Sequence, residues 1–176
     1  ADPPRGWSAL IGKAIEAGRP GSLPIDFRAI SPFRRRILLT AATIPRGQVR
    51  PYAWLARQVG SPGAARAVGS AMAHNPVPLI VPCHRVVRSD GTIGAYSLGG
   101  PDNKWRLLTT EGADPVRLQS EAESGTRFFG SSSTRIFCFP SCAEAKRIAT
   151  PHLVRFRDQN EARAGGYRPC ERCRPA

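Results

Sequence analysis

The sequence predicts an α+β chain of two small domains, a helix-turn-helix-containing one followed by a four-cysteine one. Three observations carry this. Apolar residues recur at helical spacing through roughly the first two-thirds of the chain. Short strand-like runs take over after residue 126. Between them, residues 112–125 lack periodicity and hold Gly, Pro, Ser and acidic residues, as a boundary does. A length of 176 residues suits one ordinary domain or two small ones.

Trp7, Leu10, Ile11, Ala14 and Ile15 form a helical stripe over residues 7–17 that ends near Gly18. Residues 19–30 contain Pro20, Gly21 and Pro24 and read as a connection. Ser31-Pro32 supplies a capping hydroxyl and then a proline at the first helical position, and the helix that follows buries Phe33, Ile37, Leu38 and Ala41. Tyr52, Leu55, Ala56 and Val59 predict a short helix closed by Gly60. Ser61-Pro62 is expected to open another, with Ala65, Val68 and Met72 on one face. Two short helices across a tight turn match helix-turn-helix, although helical hairpins also occur in proteins that never meet DNA.

His74-Asn75-Pro76 ends that helix, and Val77 to Val81 is expected to cross the core extended. Arg85–Arg88 and Thr92-Ile93 flank Ser89-Asp90-Gly91 as a hairpin. A last short helix covers 103–111, with Trp105 and Leu108 inside. Strand-like runs follow at 127–129, 135–137 and 153–156, then a short helix near 158–164.

Formal net charge is +13, and 23 of the 26 basic residues are Arg. Arginine's planar donor fork suits phosphates and base edges, so nucleic acid is the favoured partner over a merely solubilising surface. Residues 1–113 carry 15 basic and 6 acidic side chains; residues 114–176 carry 11 and 7. No apolar run approaches the ~20 residues that span a bilayer, and the amino-terminal residues lack a secretory signal's apolar core. A cytoplasmic, nucleoid-associated, bacterial protein without membrane contact is expected.

Cys83 stands in Pro82-Cys83-His84-Arg85. A lone cysteine is more often an inert core residue than a nucleophile. Here a histidine adjoins it in a basic chain with DNA-suited helices, and a thiolate needs such a base. His84 is the candidate base and Glu111 the candidate residue to orient it.

Residues 24–112 resemble the C-terminal domain of O6-alkylguanine-DNA alkyltransferases. The resemblance rests on Ile44-Pro45-Arg46-Gly47, Tyr52, Ala65-Arg66-Ala67-Val68-Gly69, Asn75-Pro76 and Pro82-Cys83-His84-Arg85-Val86. It continues in Gly94-Ala95-Tyr96-Ser97, Lys104 and Glu111-Gly112. It implies that Cys83 accepts an alkyl group, irreversibly and once, and that His84 and Glu111 form a water-linked relay to it. It further implies that Tyr52 hydrogen-bonds the leaving guanine, that Arg66 fills the stack behind a flipped nucleotide, and that Asn75 is a hinge. Val81, Tyr96 and Ser97 would line the base pocket, and Arg85 is assigned to the DNA-contacting set. Without the resemblance, Tyr52, Val81 and Tyr96 would pass as core residues. Ala95 stands where the family more often has Gly or Asn, and Leu98 where it often has Gly. Non-catalytic relatives carry Trp at the position of Cys83. Residues 1–23 correspond to the last helix of the family's amino-terminal subdomain, and 24–113 to its catalytic domain.

Cys138-x3-Cys142 and Cys170-x2-Cys173 are two thiol pairs that can enclose one tetrahedral ion. Four thiolates suit structural Zn²⁺. Two disulfides or four free thiols are the alternatives, and the pairing with the inferred cytoplasm favours zinc. His152, between the pairs, is expected at the surface or in a strand.

Residues 125–175 resemble the Ada-type metal-binding domain, through Gly130, Ile136-Phe137-Cys138, Pro140-Ser141-Cys142 and Arg155-Phe156. Gly166-Tyr167-Arg168-Pro169-Cys170, Arg172-Cys173 and Pro175 complete the match. The resemblance implies that Cys138 both binds zinc and accepts methyl from a backbone methylphosphotriester. Phe139 replaces the Arg common after the first Cys. The chain thus divides into 24–113, a linker at 114–125, and a zinc domain at 126–176. The implied activity is direct-reversal repair by a suicide methyltransferase working as a monomer on duplex DNA with alkylated guanine or phosphotriester. The alternative is a zinc-dependent DNA-binding alkylation sensor or transcription regulator.

Overall fold

The computed structural model describes residues 4–17 and 19–175; Gly18, expected to end the first helix, lies outside them. Helix α1 (Trp7–Ala17) precedes α2 (Pro32–Ala41), whose first turn is capped by the Ser31 hydroxyl with Pro32 behind it. Strand β1 (Arg50–Pro51) runs directly into α3 (Tyr52–Gln58), and α4 (Ala65–Ala73) packs on both α2 and α3. Ile37, Leu38, Leu55 and Val68 are fully buried where the three helices meet. Ser61-Pro62 opens a turn rather than the helix: Ala64 N–H closes on the Ser61 carbonyl, and α4 starts at Ala65.

Two expectations for the middle of the chain are corrected. Val77 to Val81 is not extended. Leu79 has φ +72° and Val81 N–H donates to the Val77 carbonyl at 2.9 Å. Three prolines (76, 78 and 82) deny this segment ladder donors, so it folds back on itself. The turn at 89–91 does close, with Arg88 N–H donating to the Thr92 carbonyl at 2.9 Å, but Thr92-Ile93 goes on to form no second strand. The Thr92 amide is taken by Asp90 Oδ1 and the Ile93 amide by Gln119 Oε1. Strand β2 (Val86–Val87) instead pairs in parallel with β1, Arg50 opposite Val86.

Helix α5 (Gly100–Thr110) ends at Glu111. The stretch read as aperiodic contains a further helix, α6 (Pro115–Glu123), capped by the Asp114 carboxylate with Pro115 in its first turn. It buries Pro115 and Ala122, with Leu118 half-buried between them, a short face that a proline and an alanine leave faint in the sequence.

The remaining residues form a four-stranded sheet of order β5-β3-β4-β6, from β3 (Phe128–Ser131), β4 (Ile136–Cys138), β5 (Leu153–Phe156) and β6 (Arg168–Pro169). Only β4–β6 is parallel. Helix α7 (Gln159–Ala164) is capped by Asp158. Gly130 in β3 is required by space: a Cβ there would sit 2.5 Å from the Phe156 ring and 2.8 Å from that of Tyr167. Those two rings stack edge-on with centroids 4.8 Å apart. One hydrophobic cluster runs from the α2–α4 helices through Trp54 and Phe139 into this sheet.

Candidate active site and metal centre

Cys83, His84 and Arg85 occupy one 3-10 turn between the 77–82 loop and β2, and all three are buried. His84 Nε2 lies 3.0 Å from Glu111 Oε1. Arg85 grips the same carboxylate from the side, Nε to Oε2 at 2.7 Å and Nη2 to Oε1 at 2.6 Å, while its Nη1 donates to the Ile44 carbonyl at 2.7 Å. Burial alone would raise the Glu111 carboxyl, but the hydrogen bonds from His84 and Arg85 outweigh it and hold the group at about 2. An ionised Glu111 accepts only, so His84 Nε2 carries a proton and Nδ1 is left as the acceptor. Among the described residues Nδ1 has no hydrogen-bond partner although it is buried.

The Cys83 thiol donates to the Tyr96 phenol oxygen at 3.9 Å, a long sulfur contact. Burial, then the nearby Cys83, push the Tyr96 phenol up. Tyr52, half-buried at the start of α3, is raised by burial and by the Cys83 charge. Both phenols therefore keep their protons.

Asn75 ties the helix pair to the segment that leads into Cys83. Its Nδ2 donates to the Val81 carbonyl at 2.7 Å and its Oδ1 accepts from Val77 N–H at 3.1 Å. The same Val81 carbonyl accepts from Cys83 N–H at 2.8 Å. Val81 is fully buried, Ser97 is exposed, and Arg66 is exposed on α4. Arg85, assigned from sequence to the DNA surface, is 1% exposed and pairs with Glu111 inside the protein. That DNA role is withdrawn: its guanidinium orients the carboxylate instead.

Lys104, for which sequence offered no role, is a buried post. Its ammonium donates to the Val86 carbonyl at 2.7 Å and the Ile93 carbonyl at 2.6 Å, tying together two segments that follow the Cys83 turn. Burial lowers it to about 8. Gly47 has φ +71°, and a Cβ there would lie 2.8 Å from the Glu111 carbonyl oxygen, so only glycine lets this loop close on Glu111.

In the second half, Cys138 leaves β4, Cys142 follows four residues on, and Cys170 and Cys173 follow β6. All four are buried and free of disulfides, and their sulfurs lie within 4.8 Å of one another. Tetrahedral Zn–S bonds of ~2.3 Å place sulfurs roughly 3.8 Å apart, so the set fits one zinc ion. Hydrogen bonding from Cys138 and then Cys173 pulls the Cys142 thiol down to about 2, and the Cys138–Cys142 bond pushes Cys138 up. Sulfurs packed this closely compete for one negative charge, and a dication ends that competition. Cys138 and Cys170 border a cavity of about 480 Å³ whose rim includes Arg147 and Arg172, both paired with Glu144, and Arg168, paired with Glu171. His152 is exposed beside Ser132 and takes no part in the sulfur cluster.

Fold and site together define a helix-turn-helix protein with a buried Cys–His–Glu cluster, joined to a zinc-binding four-cysteine domain. Residues 32–113 match the model of the 6-O-methylguanine DNA methyltransferase DNA-binding domain, and residues 116–176 match that of the metal-binding domain of Ada. Mycobacterium tuberculosis OGT, solved in complex with DNA, is 37% identical with a TM-score of 0.53, over 65% of this chain and 71% of that one. The chain belongs to the 6-O-methylguanine DNA methyltransferase family. The O6-methylguanine-DNA methyltransferase of Pyrococcus kodakaraensis is 36% identical with a TM-score of 0.54, over 64% of this chain and 66% of that one. A methylated-DNA–protein-cysteine methyltransferase of Mycolicibacterium paratuberculosis is 47% identical over 89 residues, 51% of this chain and 53% of its own length. The chain therefore spans about half the length of that curated relative. No helix among the described residues is long and apolar enough to cross a membrane.

Proposed function

We propose that this chain repairs DNA by transferring the alkyl group of O6-alkylguanine to Cys83, once per molecule. The observation that carries this reading is the His84–Glu111 pair, which turns His84 Nδ1 into a buried acceptor one residue from the Cys83 thiol. Such an atom needs a partner, and a bridging water that links it to Sγ supplies one. Cys83 loses its proton through that water to Nδ1, giving imidazolium facing carboxylate. The thiolate attacks the O6-alkyl carbon in line; the S–C bond forms, the C–O6 bond breaks, and its electron pair leaves on guanine. Tyr52 donates a hydrogen bond to the leaving base and so offsets its developing charge. The thioether left on Cys83 has no good leaving group, so the reaction stops there.

A base within a duplex hides O6 from a buried thiol, so the nucleotide must flip out. Arg66, exposed on α4, takes the space it vacates, and Val81, Tyr96 and Ser97 line the pocket. The DNA complex of the M. tuberculosis relative supports duplex DNA as the partner. One chain carries every group the transfer needs and works as a monomer.

The rim of Arg147, Arg168 and Arg172 supports a second transfer, from a backbone methylphosphotriester to Cys138. These arginines would turn from Glu144 and Glu171 to the anionic phosphodiesters on either side of the neutral triester and so seat it at the cavity that Cys138 borders. Bound zinc keeps the Cys138 sulfur anionic without a histidine base. Peptide-mapped mass spectrometry tests both transfers, using zinc-loaded protein with one O6-methylguanine oligonucleotide and one methylphosphotriester oligonucleotide. A methyl on Cys83 from the first and on Cys138 from the second is the expected result. Methyl on neither would reject both transfers and favour a DNA-binding alkylation sensor.

A further inference from the structure

The two domains are joined by contacts that converge on the segment carrying Tyr52. Ser141 lies in the loop between Cys138 and Cys142 and is 2% exposed. Its Oγ accepts from Val49 N–H at 2.9 Å and donates to the Val49 carbonyl at 3.1 Å, in the manner of an added strand residue. On the next turn of chain, the Trp54 indole N–H is shared between the carbonyls of Cys173 and Arg174, at 3.0 Å each. Between these clamps lies Arg50, 2% exposed. Its guanidinium stacks 5.3 Å from the Phe139 ring and 5.8 Å from that of Trp54. Its guanidinium donates to the Val49 carbonyl at 2.7 Å, to Gln48 Oε1 at 2.6 Å and, across the domain boundary, to Ser141 Oγ at 3.5 Å. Lys146, from the same loop region, donates to the Gly112 carbonyl beside Glu111 at 3.2 Å.

We infer that Ser141, Trp54 and Arg50 make the zinc domain a brace for the alkyltransferase site, holding β1–α3 so that Tyr52 meets the leaving guanine. Val49, Arg50 and Trp54 lie at −3, −2 and +2 from Tyr52, so both ends of the tyrosine's turn are pinned by residues that touch the cysteine loops. Ser141 and Trp54 are positioning residues: they act through Tyr52 and not on the alkyl group. This inference rests on the proposed role of Tyr52.

The test uses the full zinc-loaded chain and its Ser141→Ala and Trp54→Phe variants, with zinc content measured for each. Three quantities are read: transfer of methyl from an O6-methylguanine duplex to Cys83, alkylation of Cys83 by iodoacetamide, and amide exchange of residues 52–58. Iodoacetamide brings its own leaving group and needs no Tyr52. A brace predicts transfer slowed roughly ten- to a hundredfold, an unchanged iodoacetamide rate, and faster exchange in residues 52–58 in the variants and after zinc chelation. It also predicts that Ser141→Ala adds little to a Tyr52→Phe background. Unchanged transfer and exchange in zinc-loaded variants would overturn the brace, as would a parallel loss of iodoacetamide reactivity. If the wild-type chain transfers nothing, the proposed function fails on its own account, while amide exchange still decides whether the zinc domain restrains α3.

Discussion

His84 Nε2 and Glu111 Oε1 are 3.0 Å apart across 27 residues of chain, and this contact fixes which imidazole nitrogen stands free beside Cys83. Glu111→Gln keeps the shape but replaces a charged acceptor, so the histidine loses its preferred tautomer and the imidazolium its counter-charge. Single-turnover methyl transfer is expected to fall by about 10²–10⁴-fold. Rapid-quench kinetics on an O6-methylguanine oligonucleotide measures it.

The same carboxylate sets the acid limit of the fold. Glu111 is held at about 2 against an ordinary 4.5. Between those values the unfolded chain binds more protons than the folded one, so stability is fully present above pH about 4.5 and is lost as pH falls toward 2. Urea midpoints measured from pH 6 to pH 3 should drop across this window, and the drop should be smaller in Glu111→Gln.

Asn75 is expected to matter through backbone alone. Asn75→Ala removes the 2.7 Å bond to the Val81 carbonyl and the 3.1 Å bond from Val77 N–H. The cost is about 1–3 kcal/mol for the groups left unpaired. Thermal unfolding reads the stability loss, and slower transfer should accompany it because Val81 also anchors the Cys83 amide.

Cys142→Ser should abolish zinc retention and lower the melting temperature of the whole chain rather than of its second half alone, since the hydrophobic cluster and the Ser141–Val49 bonds join the halves. Zinc release with a colorimetric chelator, followed by calorimetry, checks this. Two separate transitions with the first unmoved would contradict a shared core.

Gly47→Ala places a Cβ 2.8 Å from the Glu111 carbonyl oxygen at φ +71°. Strain of about 1–3 kcal/mol is expected, along with slower transfer as Glu111 shifts. A melting curve and one kinetic trace suffice.

Much of the site was legible because its parts are contiguous or carry a capping signal. Ser31-Pro32, Pro82-Cys83-His84 and the two cysteine pairs are short-range patterns whose chemistry does not depend on the rest of the fold. Arg85 was misplaced because a buried arginine and a DNA-facing arginine are the same letter; only the position of Glu111, 26 residues on, decides between them. Helix α6 was missed although Asp114-Pro115 is a cap, since its inward face of Pro115, Leu118 and Ala122 holds only one large apolar side chain. The Ser141–Val49 and Trp54–Cys173 contacts span 92 and 119 residues. They arise from docking one folded unit on another, which no local pattern encodes.

The central claim is tested most directly by titrating the protein against a duplex whose O6-methylguanine carries a radiolabelled methyl, then locating the label by peptide mapping. The account predicts a plateau of one methyl per chain, all of it on the Cys83 peptide, with none transferred by Cys83→Ser. Continued turnover beyond one equivalent, or a Cys83 peptide without label while the lesion disappears, would contradict it.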